Sequence, residues 1–465
     1  MSEELWTKSA TELAGLIRAK SVSSREVIDA HLSRIEAVNG RVNAVVEVLA
    51  DDARRAADAA DAATAKGESD GAFHGVPFTV KTNIDVAGQP TTEGATSLKD
   101  LVAPSDAPVV KRMRGAGGII LGRTNMPDFG LRINSESSLY GSTGNPWDVT
   151  RTAGGSSGGE GAAIASGMSP LGLGNDIGGS VRNPAFCCGI TSIKPSFGRI
   201  AQGNESSPLN PLLSSQLMLA QGPMARHVRD LRAALGVLAG SDPRDPHAID
   251  APLDGPPRPR RAALIPEPVG GSTHPDIAEG VRIAGRALEA AGYDVEEVSP
   301  PALFDAYVAW SEFMTSGLEA LAPLMEMLMG EGGKKFLEYT SFDFPSPTAA
   351  SMDALHQTRY GVAKSFQEFF ETYPIIVGPT WTQPPFPLGW DIESRENAMQ
   401  VVELFRFVLP ANLMGLPAAS VPTGVAHGLP TGAQIISSRF REDLCLDAAE
   451  VIEIALGVIT PIDPR

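Results

Sequence analysis

Gly154-Gly155-Ser156-Ser157-Gly158-Gly159 and, after a run of small residues, Gly174-Asn175-Asp176-Ile177-Gly178-Gly179-Ser180-Val181-Arg182 are the stretches on which the reading of this chain turns. Two serine-bearing glycine loops flank one short, small-residue helix. A serine set among glycines can present its hydroxyl on a tight turn while successive backbone N–H groups converge on one point, as a tetrahedral oxyanion requires. Ser180, with the N–H groups of Ile177, Gly178, Gly179 and Ser180, fits that design and is the candidate nucleophile.

A hydroxyl is a poor nucleophile until a nearby base takes its proton. The usual base is histidine, but none of the 7 histidines (His31, His74, His227, His247, His274, His356 and His427) lies in either loop. Lys81 is marked instead: Gly75-Val76-Pro77-Phe78-Thr79-Val80-Lys81 ends an apolar run in a lysine, where burial favours the neutral amine. Other readings stand beside this one. Glycine loops before helices often bind phosphate, but the P-loop spacing with its terminal Gly-Lys-Ser/Thr is missing. A lone lysine is most often a solvated one. Asp176 could orient a base as in serine proteases; a structural role, holding the Ser180 loop through backbone N–H bonds with Arg182 as a second ordering residue, is favoured.

Outward from this core, residues 71–200 share one texture, short apolar runs such as Val76–Val80 and Ile119–Leu121 cut by glycine-rich turns. Upstream, Ser9 with Glu12 and Ser23 with Glu26 form capping boxes that predict helices over 10–19 and 24–38, and Val42 to Ala65 reads as a third, alanine-rich helix. Downstream, a proline-rich connection over 242–261 leads to a strand at Ala262–Ile265. A helix follows with Ile277, Val281, Ala284, Leu288 and Ala291 on one face, then a strand at Tyr293–Val298. That is a βαβ unit with parallel strands. Residues 303–345 gather Trp310, Phe313, Phe336 and Phe342 with Met314, Met325, Met327 and Met329. Such a pliable set suits core or cover packing first, and an adaptable pocket second.

The loops GGSSGG and DIGGSVR, the stretch GVPFTVKTN, the segments LGRTNMPDFG and NPWD, and the closing run Leu413 to Pro422 with Gly428-Leu429-Pro430 and Gln434 resemble the amidase signature family across nearly the whole chain. The resemblance implies a nucleophile at Ser180, a bridging serine held by a cis peptide at Ser156, and a base at Lys81. Ser157 is the neighbour that could take the bridging role; the family pattern favours Ser156 and leaves Ser157 to local hydrogen bonds. It implies a single α/β domain over 1–465 with a mixed, largely parallel twisted sheet flanked by helices on both faces. The catalytic core is expected at 71–200, with a variable substrate-pocket region at 243–400. Thr82, Asn175 and Ser192 depart from the family's usual aspartate, small hydroxyl residue and glycine. Thr380 and Trp381 sit where the family's chain returns toward the cleft, and core packing suits them equally.

The formal charge of -17 gives a field that repels phosphate backbones and anionic lipid, so neither nucleic acid nor membrane is an expected partner. The N-terminus lacks the apolar core of a signal peptide and no segment approaches a spanning helix, which points to the cytoplasm. The 3 cysteines, with Cys187 and Cys188 adjacent and Cys445 remote, make neither a disulfide framework nor a metal spacing. The expected function is therefore cofactor-free and metal-free hydrolysis of small, hydrophobic or aryl amides by an acyl-enzyme, with esters and carbamates as further substrates. Substrate and water are the expected partners, and a homodimer is compatible with the sequence. The rivals are a glutaminase subunit of a tRNA-dependent amidotransferase and a non-catalytic binding protein of the same fold.

Overall fold

Ser9 and Ser23 each accept from the backbone N–H three residues on, while Glu12 and Glu26 reach back to the serine N–H groups, so both capping boxes form and open the helices Ala10–Arg18 and Ser24–Val42. Each cap contributes about 1 kcal/mol. The second helix runs past the predicted end and stops at Asn43, whose left-handed backbone (φ 53) ends it. The third predicted helix is shorter at its start: Val45–Val48, a β-branched run, is a strand, and the helix begins only at Ala50 and ends at Lys66. The computed structural model describes residues 4–68, 71–207, 209–340 and 346–465.

The organising element is an 11-stranded sheet. Its spatial order is Val45–Val48, Ile119–Thr124, Pro77–Lys81, Leu171–Asp176, Ala220–Ala225, Thr191–Lys194, Ala418–Ala426, Leu429–Ser437, Ile375–Gly378, Arg261–Leu264, Asp294–Glu297. Along the central strands alternate side chains enter two different apolar clusters: Ala262, Leu264, Ile375, Val377 and Ile435 on one face, Ala263, Ile376 and Ile436 on the other. The period of two along a strand makes both faces apolar, and helices cover both. The chain is thus a single α/β domain with a mixed sheet between helices.

The parallel share is smaller than expected. Parallel pairings join Ile119–Thr124, Pro77–Lys81 and Leu171–Asp176 toward one edge, and Ile375–Gly378, Arg261–Leu264 and Asp294–Glu297 toward the other. Between them the pairings are antiparallel. The physical reason is direct return: His427 (φ 50) and Gly428 (φ 81) make a two-residue turn with both backbones left-handed, which closes Ala418–Ala426 and Leu429–Ser437 into a hairpin without a crossover helix. The predicted βαβ unit is present, with Pro275–Ala290 between the parallel strands Arg261–Leu264 and Asp294–Glu297.

Candidate active site

Two neighbouring parallel strands deliver the site. Pro77–Lys81 ends at Lys81 and Leu171–Asp176 ends at Asp176, paired in register through Thr79 with Gly172 and Val80 with Leu173. Their carboxyl ends therefore carry Lys81, Asn175 and Asp176 to one place, the position where open α/β sheets bind ligands. Lys81 is fully buried; its Nζ lies 2.7 Å from Ser156 Oγ and donates to Asn175 Oδ1 at 2.9 Å.

Burial dominates the amine's chemistry. Removal from water disfavours the ammonium and lowers the Lys81 pKa from 10.5 to about 7, against the opposing pull of Glu93, Asp176 and Glu160. Glu160, beneath the strand, is itself raised by burial to about 8 while Thr79 and Thr124 hydroxyls donate to it. A lysine in this state exchanges a proton readily near neutrality, and at 2.7 Å the serine hydroxyl is the group it exchanges with.

Ser156 follows a cis peptide bond from Gly155, as the resemblance implied. A methyl group at Gly155 would meet Ile133 C at 2.6 Å and Arg132 O at 2.8 Å, so only glycine fits there. Ser135 holds this loop, its Oγ donating to Gly154 O at 2.9 Å and accepting from Gly158 N. Ser157 differs from expectation: its buried hydroxyl has no hydrogen-bond partner among the described residues. Its contribution comes from the backbone, since Ser157 N–H donates to Ser180 O at 3.2 Å and ties the two serine loops together. Asn183 ties them again, its Nδ2 donating to both Gly155 O and Gly178 O at 3.1 Å.

The loop that carries Ser180 is held plane by plane. Asn412 Nδ2 donates to Asp176 O, Trp310 Nε1 to Ile177 O, Asn183 Nδ2 to Gly178 O and Asn183 N to Gly179 O, at 3.1, 2.8, 3.1 and 2.6 Å. Each of these carbonyls shares a rigid peptide plane with the next residue's N–H, so all four amide directions from Ile177 to Ser180 are set. One of the four is already engaged: Gly179 N–H donates to Asp176 Oδ1 at 2.8 Å. Ile177, Gly178 and Ser180 are left as the amides suited to an oxyanion. Asp176 also accepts from Val181 N and forms a two-pronged ion pair with Arg182, Oδ1 to Nη2 at 2.9 Å and Oδ2 to Nε at 3.0 Å, both side chains fully buried. Burial would raise the Asp176 carboxyl, but the Arg182 guanidinium overrides this and holds it well below the carboxylate range. Asp176 thus links the amides of Gly179 and Val181 to the buried Arg182 guanidinium.

The histidines stay out. None of the seven is hydrogen-bonded to Lys81, Ser156 or Ser180 among the described residues; His31, for example, contacts Val27 O and His356 packs edge-on against Phe313. Among the described residues no group of three or more His, Cys, Asp or Glu side chains is placed to hold a metal ion. Of the 303–345 set, Trp310, Phe313, Phe336, Met325 and Met329 are buried, Met314 is half-buried and Met327 is exposed, while Phe342 lies outside the described residues. Trp381 is core, stacked on Phe386 at 5.7 Å, and Thr380 contacts Ser420. Thr82 and Ser192 leave buried hydroxyls without partners among the described residues, whereas Asn175 is built into the site through Lys81 and Asn83. Asn183, Asn412 and Ser135 were not legible as site residues, since isolated Asn and Ser carry no local pattern.

A family model described as Amidase matches residues 26–446. Indoleacetamide hydrolase of Bradyrhizobium diazoefficiens is 42% identical, over 98% of this chain and 88% of the relative. A glutamyl-tRNA(Gln) amidotransferase subunit of Moorella thermoacetica is 34% identical over 97% of each chain. The solved structure of 6-aminohexanoate cyclic dimer hydrolase complexed with substrate superposes with a TM-score of 0.85 and 30% identity, covering 100% of this chain and 99% of the other. No helix among the described residues is long and apolar enough to cross a membrane.

Proposed function

The chain belongs to the amidase signature family and is a hydrolase of carbon–nitrogen bonds other than peptide bonds, and from that premise we propose that it cleaves small aryl or otherwise hydrophobic amides through an acyl-enzyme on Ser180. The observation that carries the reading is the buried Lys81 amine 2.7 Å from Ser156 Oγ, with no histidine in contact among the described residues. Lys81 as free amine takes the Ser156 proton while Ser156 takes that of Ser180, and Ser180 Oγ attacks the amide carbonyl. The N–H groups of Ile177, Gly178 and Ser180 stabilise the oxyanion. The relay run backward gives the proton to the leaving amine, and water, activated the same way, hydrolyses the ester. Short esters and carbamates present the same carbonyl and share the chemistry.

The aryl preference is supported by the name of the 42% identical relative, an indoleacetamide hydrolase, and by the aromatic surroundings of the Ser180 loop, where Trp310 meets Phe405 edge-on at 6.3 Å. The test is turnover of a small anilide by Ser180→Ala, Ser156→Ala and Lys81→Ala, with folding followed by circular dichroism; near-normal turnover by Ser180→Ala sinks the assignment. The three buried free thiols fit a reducing compartment, and we place the enzyme in the cytoplasm.

A second reading, a glutaminase subunit feeding ammonia to partner chains, is favoured by the 34% identical amidotransferase relative. Purified chain that hydrolyses arylacetamides without partner or ATP separates the two. Covalent labelling by a fluorophosphonate disposes of a non-catalytic binding protein.

A further inference from the structure

Trp310 stands on the long helix Leu303–Leu328, far in sequence from the serine loops, yet it touches the Ser180 loop in two ways. Its indole Nε1 donates to Ile177 O at 2.8 Å, and its ring covers Gly178 so closely that a methyl group there would meet Cζ2 at 2.7 Å. The side chain is 9% exposed and braced by Phe405, ring centroids 6.3 Å apart and planes at 89°. The Ile177–Gly178 peptide is not among the cis bonds, so its C=O and N–H lie in one rigid plane and point in opposite directions. A donor that fixes Ile177 C=O therefore aims the Gly178 N–H away from the indole.

The other planes of the loop are pinned by the side chains of Asn412 and Asn183 and by the Asn183 backbone N–H, all close against Asp176 and the serine loops. The Gly178 plane alone is held through its carbonyl by a side chain of the aromatic 303–340 region. We propose that Trp310 is a positioning residue for catalysis: its indole N–H orients the Ile177–Gly178 peptide so that Gly178 N–H is preset toward the oxyanion. The helix Leu303–Leu328 and the transition-state amide then form one unit, so a shift of that helix loosens the Gly178 amide. This rests on the oxyanion reading given above.

The test compares wild type, Trp310→Phe and a protein carrying 3-benzothienylalanine at position 310, which keeps the shape of tryptophan and lacks the N–H. With a small anilide, both variants should lose roughly tenfold in kcat while KM stays within about twofold, because an interaction that counts mainly in the transition state has been weakened. Labelling by a fluorophosphonate, whose phosphoryl oxygen gathers charge at the same amides, should slow by a similar factor, with melting temperatures unchanged in the isosteric variant. Unchanged kcat and labelling rate, or a rise in KM alone, overturns the proposal and leaves Trp310 a packing residue against Phe405. Ser180→Ala in parallel keeps the two readings apart: if it still labels and turns over, the nucleophile assignment has failed, whereas an inert Ser180→Ala beside unaffected position-310 variants sinks only the role of Trp310.

Discussion

Lys81 Nζ and Ser156 Oγ stand 2.7 Å apart with both side chains withdrawn from solvent, Lys81 wholly and Ser156 to 2% exposure. A buried lysine is costly unless it is neutral or paired with charge, and here its two close partners, Ser156 and Asn175, are uncharged. Replacing it by methionine removes the base and keeps most of the volume. Lys81→Met should lose roughly a hundred- to ten-thousandfold in kcat with no loss of thermal stability. Steady-state kinetics beside a melting curve checks both halves, and a variant that keeps its activity removes lysine from the relay.

The pH dependence follows from the same burial. The base must be the free amine, so with a pKa lowered to about 7 the rate should be flat above that pH and fall about tenfold per unit below it. Glu93 is the carboxylate that most favours the ammonium form of Lys81. Glu93→Gln removes that attraction and should move the acid limb of the profile to lower pH. A profile of kcat/KM over the neutral and acidic range reads both effects; because burial raises Glu93 itself to about 7, an acid limb that stays put in Glu93→Gln would show that Glu93 carries no charge where Lys81 titrates.

Asn175 stands where a small hydroxyl residue was expected, and the structure explains how it serves. Its Oδ1 accepts from Lys81, and its Nδ2 is anchored at 3.0 Å on Asn83 Oδ1, which fixes which end of the amide faces the amine. Asn175→Ala should lower kcat by about five- to tenfold, the worth of one oriented hydrogen bond, and Asn175→Ser should recover part of it. Equal kcat in all three forms would mean that Ser156 alone orients the lysine.

The choice of Ser156 over Ser157 rested on the family resemblance, whereas Lys81 and Ser180 could be singled out as candidates because glycine loops and the end of an apolar strand are local patterns, and local patterns survive in one dimension. The helix caps at Ser9 and Ser23 were legible for the same reason. The strand at Val45–Val48 was hidden inside an alanine-rich helical stretch, because its identity depends on pairing with Ile119–Thr124, more than one helix away. The antiparallel centre of the sheet was likewise a matter of which strands meet. Asn412 and Trp310 act by reaching across the fold to one loop, and nothing in their neighbours along the chain signals that reach, while Asn183 sits just after Ser180 but also ties in Gly155, a contact no local pattern shows. The commitment of Gly179 N–H to Asp176 was invisible too, since a glycine run shows which amides are available but not which are already used.

Asp176 and Arg182 form the most demanding ion pair of the site, two-pronged and fully buried, and the guanidinium also donates to Asn412 Oδ1, Gln434 Oε1 and Val408 O. Asp176→Asn keeps the shape but leaves a buried guanidinium without its counter-charge, which should cost about 3–5 kcal/mol in urea unfolding at neutral pH. The sign with pH is definite. The folded carboxyl is held below its unfolded value of 3.8, so the unfolded chain binds the proton first, and the pair's contribution is complete above that value and lost as pH falls toward the lower folded one. The stability gap between wild type and Asp176→Asn should therefore be widest near neutrality and narrow below pH about 4, as the unfolded carboxyl takes up its proton. A gap that does not change with pH would mean that Asp176 holds the loop through its backbone hydrogen bonds alone, as a neutral acceptor in place of a carboxylate.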